Sequence, residues 1–333
     1  MARESYDIVA LGDAIVDVLA RRSDRFLDEC GVVKGTMRLL GDAEADHLVA
    51  AMFASGPVDE VPGGSAANTL AGAAAAGARC RFIGQTGADR LGELFAAHMH
   101  ALNIDFDTPP LADAPTGRCL ILVSPDGERT MQTNPAASHR LTTETLDEDA
   151  VRGAKMLFLE GYLWGPDTPR AAMRRAIEIA HAEGRRIAFT LSDSIALPGR
   201  RDSLARLVAD GGVDVLFANE YEACLMAASA TVEEAIARLA PQVTTLVLTR
   251  GADGAMAVHQ GQRIEIPAVQ VERVVDTTGA GDQFAAGFIA AQVRGMDAEA
   301  SLRAGAQAAA DIITRIGARP VALDGAALNG DDE

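Results

Sequence analysis

Four stretches of this 333-residue chain carry residue types at spacings that can do chemistry. The foremost is Asp276-Thr277-Thr278-Gly279-Ala280-Gly281-Asp282, which follows an apolar segment and runs into Ala285, Ala286, Phe288, Ile289 and Val293, the pattern of a helix. A helix start leaves about four backbone N–H groups without intrahelical partners and carries roughly half a positive charge. That attracts an anion, and the two glycines let a phosphate come close. Asp282, just inside the helix, can accept a proton from a hydroxyl while the N–H groups stabilise charge building on a transferring phosphoryl group. The plainer alternative is that Gly279 and Gly281 shape a turn and Asp282 stabilises the helix start.

In Gly12-Asp13-Ala14-Ile15-Val16-Asp17, two carboxylates emerge after the apolar run Tyr6–Leu11. The C-terminal ends of strands are where open α/β sheets bind ligands, although caps or solvated turn residues look the same in sequence. In Pro62-Gly63-Gly64-Ser65-Ala66-Ala67-Asn68, adjacent glycines permit close backbone approach, Ser65 can cap the next helix, and Asn68 faces back from its first turn. An ordinary glycine-rich helix start is the competing explanation. Asn219-Glu220-Tyr221-Glu222 begins a helix at a strand end, where the helix dipole alone favours acids.

The elements that must position these residues alternate. Strands are predicted at Tyr6–Leu11, Met156–Tyr162, Arg186–Leu191, Val213–Ala218 and Thr244–Arg250, with helices at Thr168–Glu183 and Asp202–Ala209 between them. Such repetition gives a parallel sheet covered on both faces. Strands Ala255–His259 and Arg263–Val269 lead to the glycine loop, and Ala298–Ile316 reads as a last helix stopped by Gly317 and Pro320. Val32–Leu40 and Cys119–Thr133 show apolar–polar alternation around a turn at Ser124-Pro125-Asp126-Gly127-Glu128, a hairpin outside the α/β repeat.

Composition narrows the function. Apolar residues make up 48% of the chain, enough for a large core, and the net charge of -17 argues against nucleic acid as a partner, because a phosphate backbone demands a basic face. Lys34 and Lys155 are the only lysines. Cys30, Cys80, Cys119 and Cys224 are scattered without a CxxC pair, so reduced thiols in a cytoplasmic protein are expected. His47, His98, His100, His139, His181 and His259 lack metal-ligand spacing. No signal-peptide pattern and no run of 18 or more apolar residues is found, and no membrane partner is expected. Neither GxxxxGK[ST] nor GxGxxG after the first strand occurs, which disfavours P-loop and dinucleotide-binding proteins.

The strings GDAIVD, GGSAAN, GQTGADRLG, NEYE, TRG and DTTGAGD, in that order, resemble the hallmarks of the ribokinase (PfkB) family of carbohydrate and nucleoside kinases over essentially the whole chain. The resemblance implies a ribokinase-like three-layer α/β/α sandwich with a mainly parallel central sheet and a small β-sheet lid. It implies one kinase domain over 1–330, with lid strands inserted at about 32–40 and 104–134. It implies ATP and Mg²⁺, with Asp282 as general base and Gly279, Ala280 and Gly281 as the anion hole. In such kinases Asp17 grips sugar hydroxyls with help from Asp13, beside Gly63, Gly64 and Asn68. Arg129 is placed like a lid arginine that reaches the transferring phosphate; a solvated hairpin arginine is equally expected. Asn219 and Glu222 organise Mg²⁺ mostly through water, while Arg250, Gly251 and Thr277 lie near the nucleotide. Asp276, Thr278, Ile312 and Gly317 match positions that wrap K⁺ with carbonyl oxygens.

GGSAAN, Leu-Phe-Ala-Asn-Glu-x-Glu, Phe189-Thr190-Leu191-Ser192-Asp193 and Arg-Ile-Gly-Ala-Arg-Pro lean toward the adenosine-kinase branch. A base slot would come from Ile15, Tyr162, Trp164 and Leu191. The expected acceptor is therefore a purine nucleoside. A sugar kinase of the ribokinase or fructokinase type and a catalytically silent nucleotide sensor stand as alternatives, and either a monomer or a homodimer is compatible.

Overall fold

The structure, a computed structural model, describes residues 6–192 and 199–320. Asp193, the segment 321–330 of the expected domain and the acidic end 331–333 lie outside the described residues. In chain order the strands are β1 Ile8–Leu11, β2 Ile15–Arg21, β3 Met37–Leu39, β4 Asp59–Pro62, β5 Cys80–Ile83, β6 Ile104–Asp105 and β7 Gly117–Val123. They continue with β8 Arg129–Asn134, β9 Met156–Glu160, β10 Arg186–Thr190, β11 Val215–Asn219, β12 Thr245–Thr249, β13 Ala255–His259 and β14 Gln262–Ile266.

Nine of them form one sheet in the order β14-β13-β12-β11-β10-β9-β1-β5-β6. It is parallel from β6 to β12 and antiparallel at β13 and β14. Strand residues alternate between two cores. Val9, Leu11, Leu157, Leu159, Leu246 and Leu248 face one layer of helices, and Ile8, Ala10, Met156, Phe158, Val215 and Val247 face the other. The second layer contains the helices Ser65–Ala75, Ala280–Val293 and Ala298–Ile312, and so carries two of the chemical stretches. This is the expected three-layer α/β/α arrangement.

A five-stranded sheet, β3-β8-β7-β2-β4, stands apart from it. One face packs Val18, Ala20, Leu120 and Leu122 against Leu27, Leu48 and Met52, residues of the helices Asp24–Glu29 and Asp42–Ala54. Ile15, Cys119, Ile121 and Val123, with Met131, form the other apolar face.

One strand was missed in the sequence, and three expectations need correction. Ile15–Arg21 is a strand of the small sheet, paired in parallel with β7 so that Asp17 sits opposite Cys119; only three residues, 12–14, separate it from β1. Ile104–Asp105 pairs with β5 at the edge of the large sheet, not in the lid. Within Val32–Leu40 only Met37–Leu39 is strand, because Gly35 turns the chain at φ +72°. The last helix ends at Ile312, where the Ile313 carbonyl turns to accept the N–H groups of Val275 and Asp276.

The helices Ala280–Val293 and Ala298–Ile312 touch backbone to backbone at Gly287. A Cβ there would lie 2.4 Å from the Ala304 carbonyl oxygen and 3.0 Å from Gly305 Cα. Gly287→Ala gains helix propensity but must part the two helices, so urea unfolding should show a net loss of about 1–3 kcal/mol. Unchanged stability would mean the pair yields without cost.

Candidate active site

The two sheets enclose a cleft of about 610 Å³. Its floor is made by strand ends and helix starts of the large sheet, and its roof by the free apolar face of the small one, through Ile15, Met37, Leu39, Cys119, Ile121 and Met131. The chain crosses from floor to roof at Asp13, directly after β1.

Asp282 stands in the first turn of Ala280–Val293. That helix is capped by Gly279 at φ +75°, where a Cβ would fall 2.5 Å from Ala318 Cβ. Before Gly281 the space is open, with nothing within 4 Å of the place a Cβ would take. Of the three N–H groups expected to bind an anion, that of Ala280 is already given to the Thr277 carbonyl at 3.1 Å. Those of Gly279, Gly281 and Asp282 have no partner among the described residues, so Asp282 takes the place of Ala280 in the donor set.

The Asp282 carboxylate is held from the facing helix. Ser65 Oγ donates to Oδ1 at 2.6 Å and Asn68 Nδ2 to Oδ2 at 2.9 Å. Ser65 therefore serves Asp282 and not its own helix, whose N-cap is Gly64 at φ +90°. A Cβ at Gly64 would fall 2.3 Å from the Asp13 carbonyl oxygen, so only glycine permits that approach. Burial pushes Asp282 up to about 6, against the pull of Ser65, Asn68 and Arg319. Asp17 faces the same space and receives no hydrogen bond among the described residues. Burial pushes it up to about 7, opposed by Arg319 and Arg129 and reinforced by Asp282. Gly63 backs it, with the place of a Cβ only 2.7 Å from Asp17 Oδ2.

Asp13 lines the cleft as well, but its carboxylate has partners: Ser138 Oγ donates to its Oδ1 at 2.6 Å and His139 Nε2 lies 3.8 Å from Oδ2. Behind it lies Glu160, wholly buried at the end of β9. Its Oε1 accepts the Asp13 N–H at 2.6 Å and its Oε2 the Ala66 N–H at 2.8 Å. One side chain thereby fastens the Asp13 turn to the start of the Ser65–Ala75 helix. Burial, then the neighbouring Asp13 carboxylate, raises Glu160 well above the usual range. Sequence reasoning missed Glu160, Ser138, His139 and the role of Ser65; only the last had a signal, a hydroxyl in a glycine-rich helix start.

Arg129 opens β8 and reaches across the cleft to the glycine loop. Its Nη1 donates to Thr278 Oγ1 at 2.5 Å and its Nη2 to Asp276 Oδ2 at 2.9 Å. Asp276 also accepts from Thr278 N at 2.9 Å, Thr278 Oγ1 at 2.7 Å and Gly317 N at 3.1 Å. The Asp276 side chain is therefore committed, and a cation beside it would depend on backbone carbonyls. Those of Asp276, Thr278 and Gly317 receive no N–H among the described residues, whereas that of Ile312 takes the Arg315 N–H at 3.2 Å. Three of the four expected carbonyls are thus left without an N–H donor among the described residues.

Asn219 and Glu222 line the cleft. They cap their helix reciprocally, with the Glu222 N–H on Asn219 Oδ1 at 2.8 Å and the Asn219 N–H on Glu222 Oε2 at 2.9 Å. No group of three or more His, Cys, Asp or Glu able to hold a metal occurs among the described residues. Thr277 and Thr249 line the cleft, but Arg250 and Gly251 do not; the Arg250 guanidinium is drawn to the Asp253 carbonyl and Glu265, each at 3.2 Å. The expected base slot also changes. Ile15 and Tyr162 line the cleft, whereas Trp164 and Leu191 are wholly buried. Trp164 packs edge-on against Phe189 and donates to Ser203. No described helix is long and apolar enough to cross a membrane.

The family model described as "pfkB family carbohydrate kinase" matches residues 37–324. Among solved structures, adenosine kinase from Sinorhizobium meliloti is 40% identical, with TM-score 0.88 over 95% of this chain and 96% of that one. A "probable sugar kinase protein" from Rhizobium etli CFN 42 is 37% identical, with TM-score 0.88 over 96% of both chains. The 5-dehydro-2-deoxygluconokinase of Shouchella clausii is 24% identical over 94% of this chain and 91% of its own length.

Glu160 offers a direct test of how the cleft is fastened. A carboxyl group keeps a lone pair on each oxygen whether or not it is ionised; an amide nitrogen has none. Glu160→Gln sets an N–H₂ against a backbone N–H and should cost about 1–3 kcal/mol in urea unfolding. Full stability in the variant would show that one of the two contacts is dispensable.

Proposed function

Because the chain belongs to the pfkB family of carbohydrate kinases, we propose that it transfers the γ-phosphoryl group of ATP to the 5′-hydroxyl of a purine nucleoside, adenosine foremost. The observation that carries this is the continuous apolar roof of Ile15, Met37, Leu39, Cys119, Ile121 and Met131, which faces the polar groups of Asp282, Ser65, Asn68, Asn219 and Glu222 across the cleft. A free sugar presents hydroxyls on every side and gains little from such a wall, whereas a purine is a flat apolar body that does. The resemblance to an adenosine kinase agrees with it.

The residues divide the work. Asp17, with no partner of its own, takes ribose hydroxyls. That places the acceptor hydroxyl toward Asp282, which accepts its proton as the oxygen attacks phosphorus and ADP departs. The N–H groups of Gly279, Gly281 and Asp282 donate to the phosphoryl oxygens, and Arg129 is near enough to turn from Asp276 and Thr278 toward them. Mg²⁺, when bound, offsets charge on the phosphates, and Asn219 and Glu222 are the residues to hold its waters. K⁺ would sit among the carbonyls of Asp276, Thr278 and Gly317, fixing the loop whose N–H groups do the binding. Catalysis in this scheme is mostly positioning and electrostatics.

ADP release should be measured with Mg·ATP against adenosine, guanosine, cytidine, ribose and fructose. Turnover favouring a purine nucleoside supports the proposal; turnover with free sugars alone moves the chain to the sugar kinases, and silence with ATP still bound favours a sensor. Asp282→Asn should lower kcat about 10²–10⁴-fold. The base must be ionised to act, so kcat should fall about tenfold per pH unit below about 6 and level off above it. A flat profile down to pH 5 would remove Asp282 from that role.

A further inference from the structure

Arg319 lies near the end of the described chain, yet it stands directly behind the reacting groups. Its Nε donates to Asn68 Oδ1 at 2.8 Å and its Nη2 to the Gly63 carbonyl at 2.6 Å, while its Nη1 is 2.7 Å from His98 Nδ1. A guanidinium only donates. It therefore fixes the Asn68 amide with its oxygen toward Arg319, which turns Nδ2 toward Asp282 Oδ2 at 2.9 Å. His98 must likewise offer a bare Nδ1, and burial, then the Arg319 charge, push it down to about 4, so it stays neutral. The Phe95 ring lies under the guanidinium, 5.9 Å from centroid to carbon. Three hydrogen-bonding directions and a ring leave the group one orientation.

We propose that Arg319 is a positioning residue for the phosphoryl transfer: it selects the Asn68 amide orientation that presents the Asp282 carboxylate to the acceptor, and it supplies the positive charge shared by Asp282 and Asp17. This rests on Asp282 being the base. The charged or titratable groups facing Asp282 are Arg319, Asp17 of β2 and Glu160 of β9, and Asp17 faces Arg129 as well. Of these, Arg319 alone binds Asn68.

Steady-state kinetics across pH 5–8 on full-length Arg319→Gln, Arg319→Lys, Asn68→Ala and the Arg319→Gln/Asn68→Ala double variant test it. Arg319→Gln should lower kcat about tenfold, leave the KM for ATP within about twofold, and move the acid limb of kcat up by about one pH unit, because a cation that favours the ionised base is gone. Arg319→Lys should keep the acid limb in place yet still lower kcat, since one ammonium cannot hold three acceptors in fixed directions. The double variant should lose no more than the larger single loss, since both changes act through one amide. Parent-like kcat and acid limb in Arg319→Gln, or additive losses in the double variant, would overturn the proposal. If circular dichroism shows the Gln variant unfolded, the Lys variant decides by the same two readouts: lowered kcat with the limb in place supports, parent-like kcat overturns. Failure of the base assignment shows separately, as retained activity in Asp282→Asn.

Discussion

The cleft depends on holding the Asp282 carboxylate out of bulk water while keeping it able to ionise. Withdrawal from water favours the neutral acid. A helix start beneath it, two hydrogen bonds from the facing helix and a guanidinium behind favour the charge. The balance falls near 6, which leaves the group ionised at neutral pH yet basic enough to take a proton. Every neighbouring element answers to that balance. The Ser65–Ala75 and Ala280–Val293 helices must lie close enough for Ser65 and Asn68 to reach across, so their contact is built from small residues, with the place of a Cβ at Gly72 only 2.6 Å from Ala286 Cβ.

A second carboxylate solves a different problem with the same means. Glu160 spends both oxygens on backbone N–H groups, so the turn carrying Asp13 and the helix start carrying Ser65 cannot move independently. The roof is fastened more lightly. Arg129 joins the small sheet to the glycine loop by side-chain contacts that are one-third exposed on the arginine side. The clamp under the floor is buried on both sides, whereas the latch at the roof is partly open to solvent, so the roof contact is the easier of the two to part.

Much of this was legible in sequence, and the limits were physical. The βα alternation, the glycine loop and Asp282 were readable because helix starts and buried strands impose local patterns. Ile15–Arg21 was hidden because it follows β1 after only three residues and carries Asp17, so it reads as the polar segment that leaves a strand and not as a second strand. Trp164 was misplaced because an aromatic residue serves a slot or a core equally well, and only its burial decides. The partners of Asp282 and Glu160 were invisible because they stand 94 to 217 positions away along the chain. The loss of the Ala280 N–H to Thr277 depends on backbone angles that GAG does not specify. The acceptor itself rests on side-chain shape across two sheets, and similar relatives carry both nucleoside-kinase and sugar-kinase names.

The contact between Asn68 and Arg319 spans 251 positions. A ribosome adds about 5–20 residues per second, so on the order of 10 to 50 seconds separate the synthesis of the two partners. Through that interval the large sheet can be completed while the Asn68 amide oxygen lacks the donor that fixes its direction. The nascent chain therefore carries both facing helix starts, Ser65–Ala75 and Ala280–Val293, before it carries the guanidinium that closes behind Asn68.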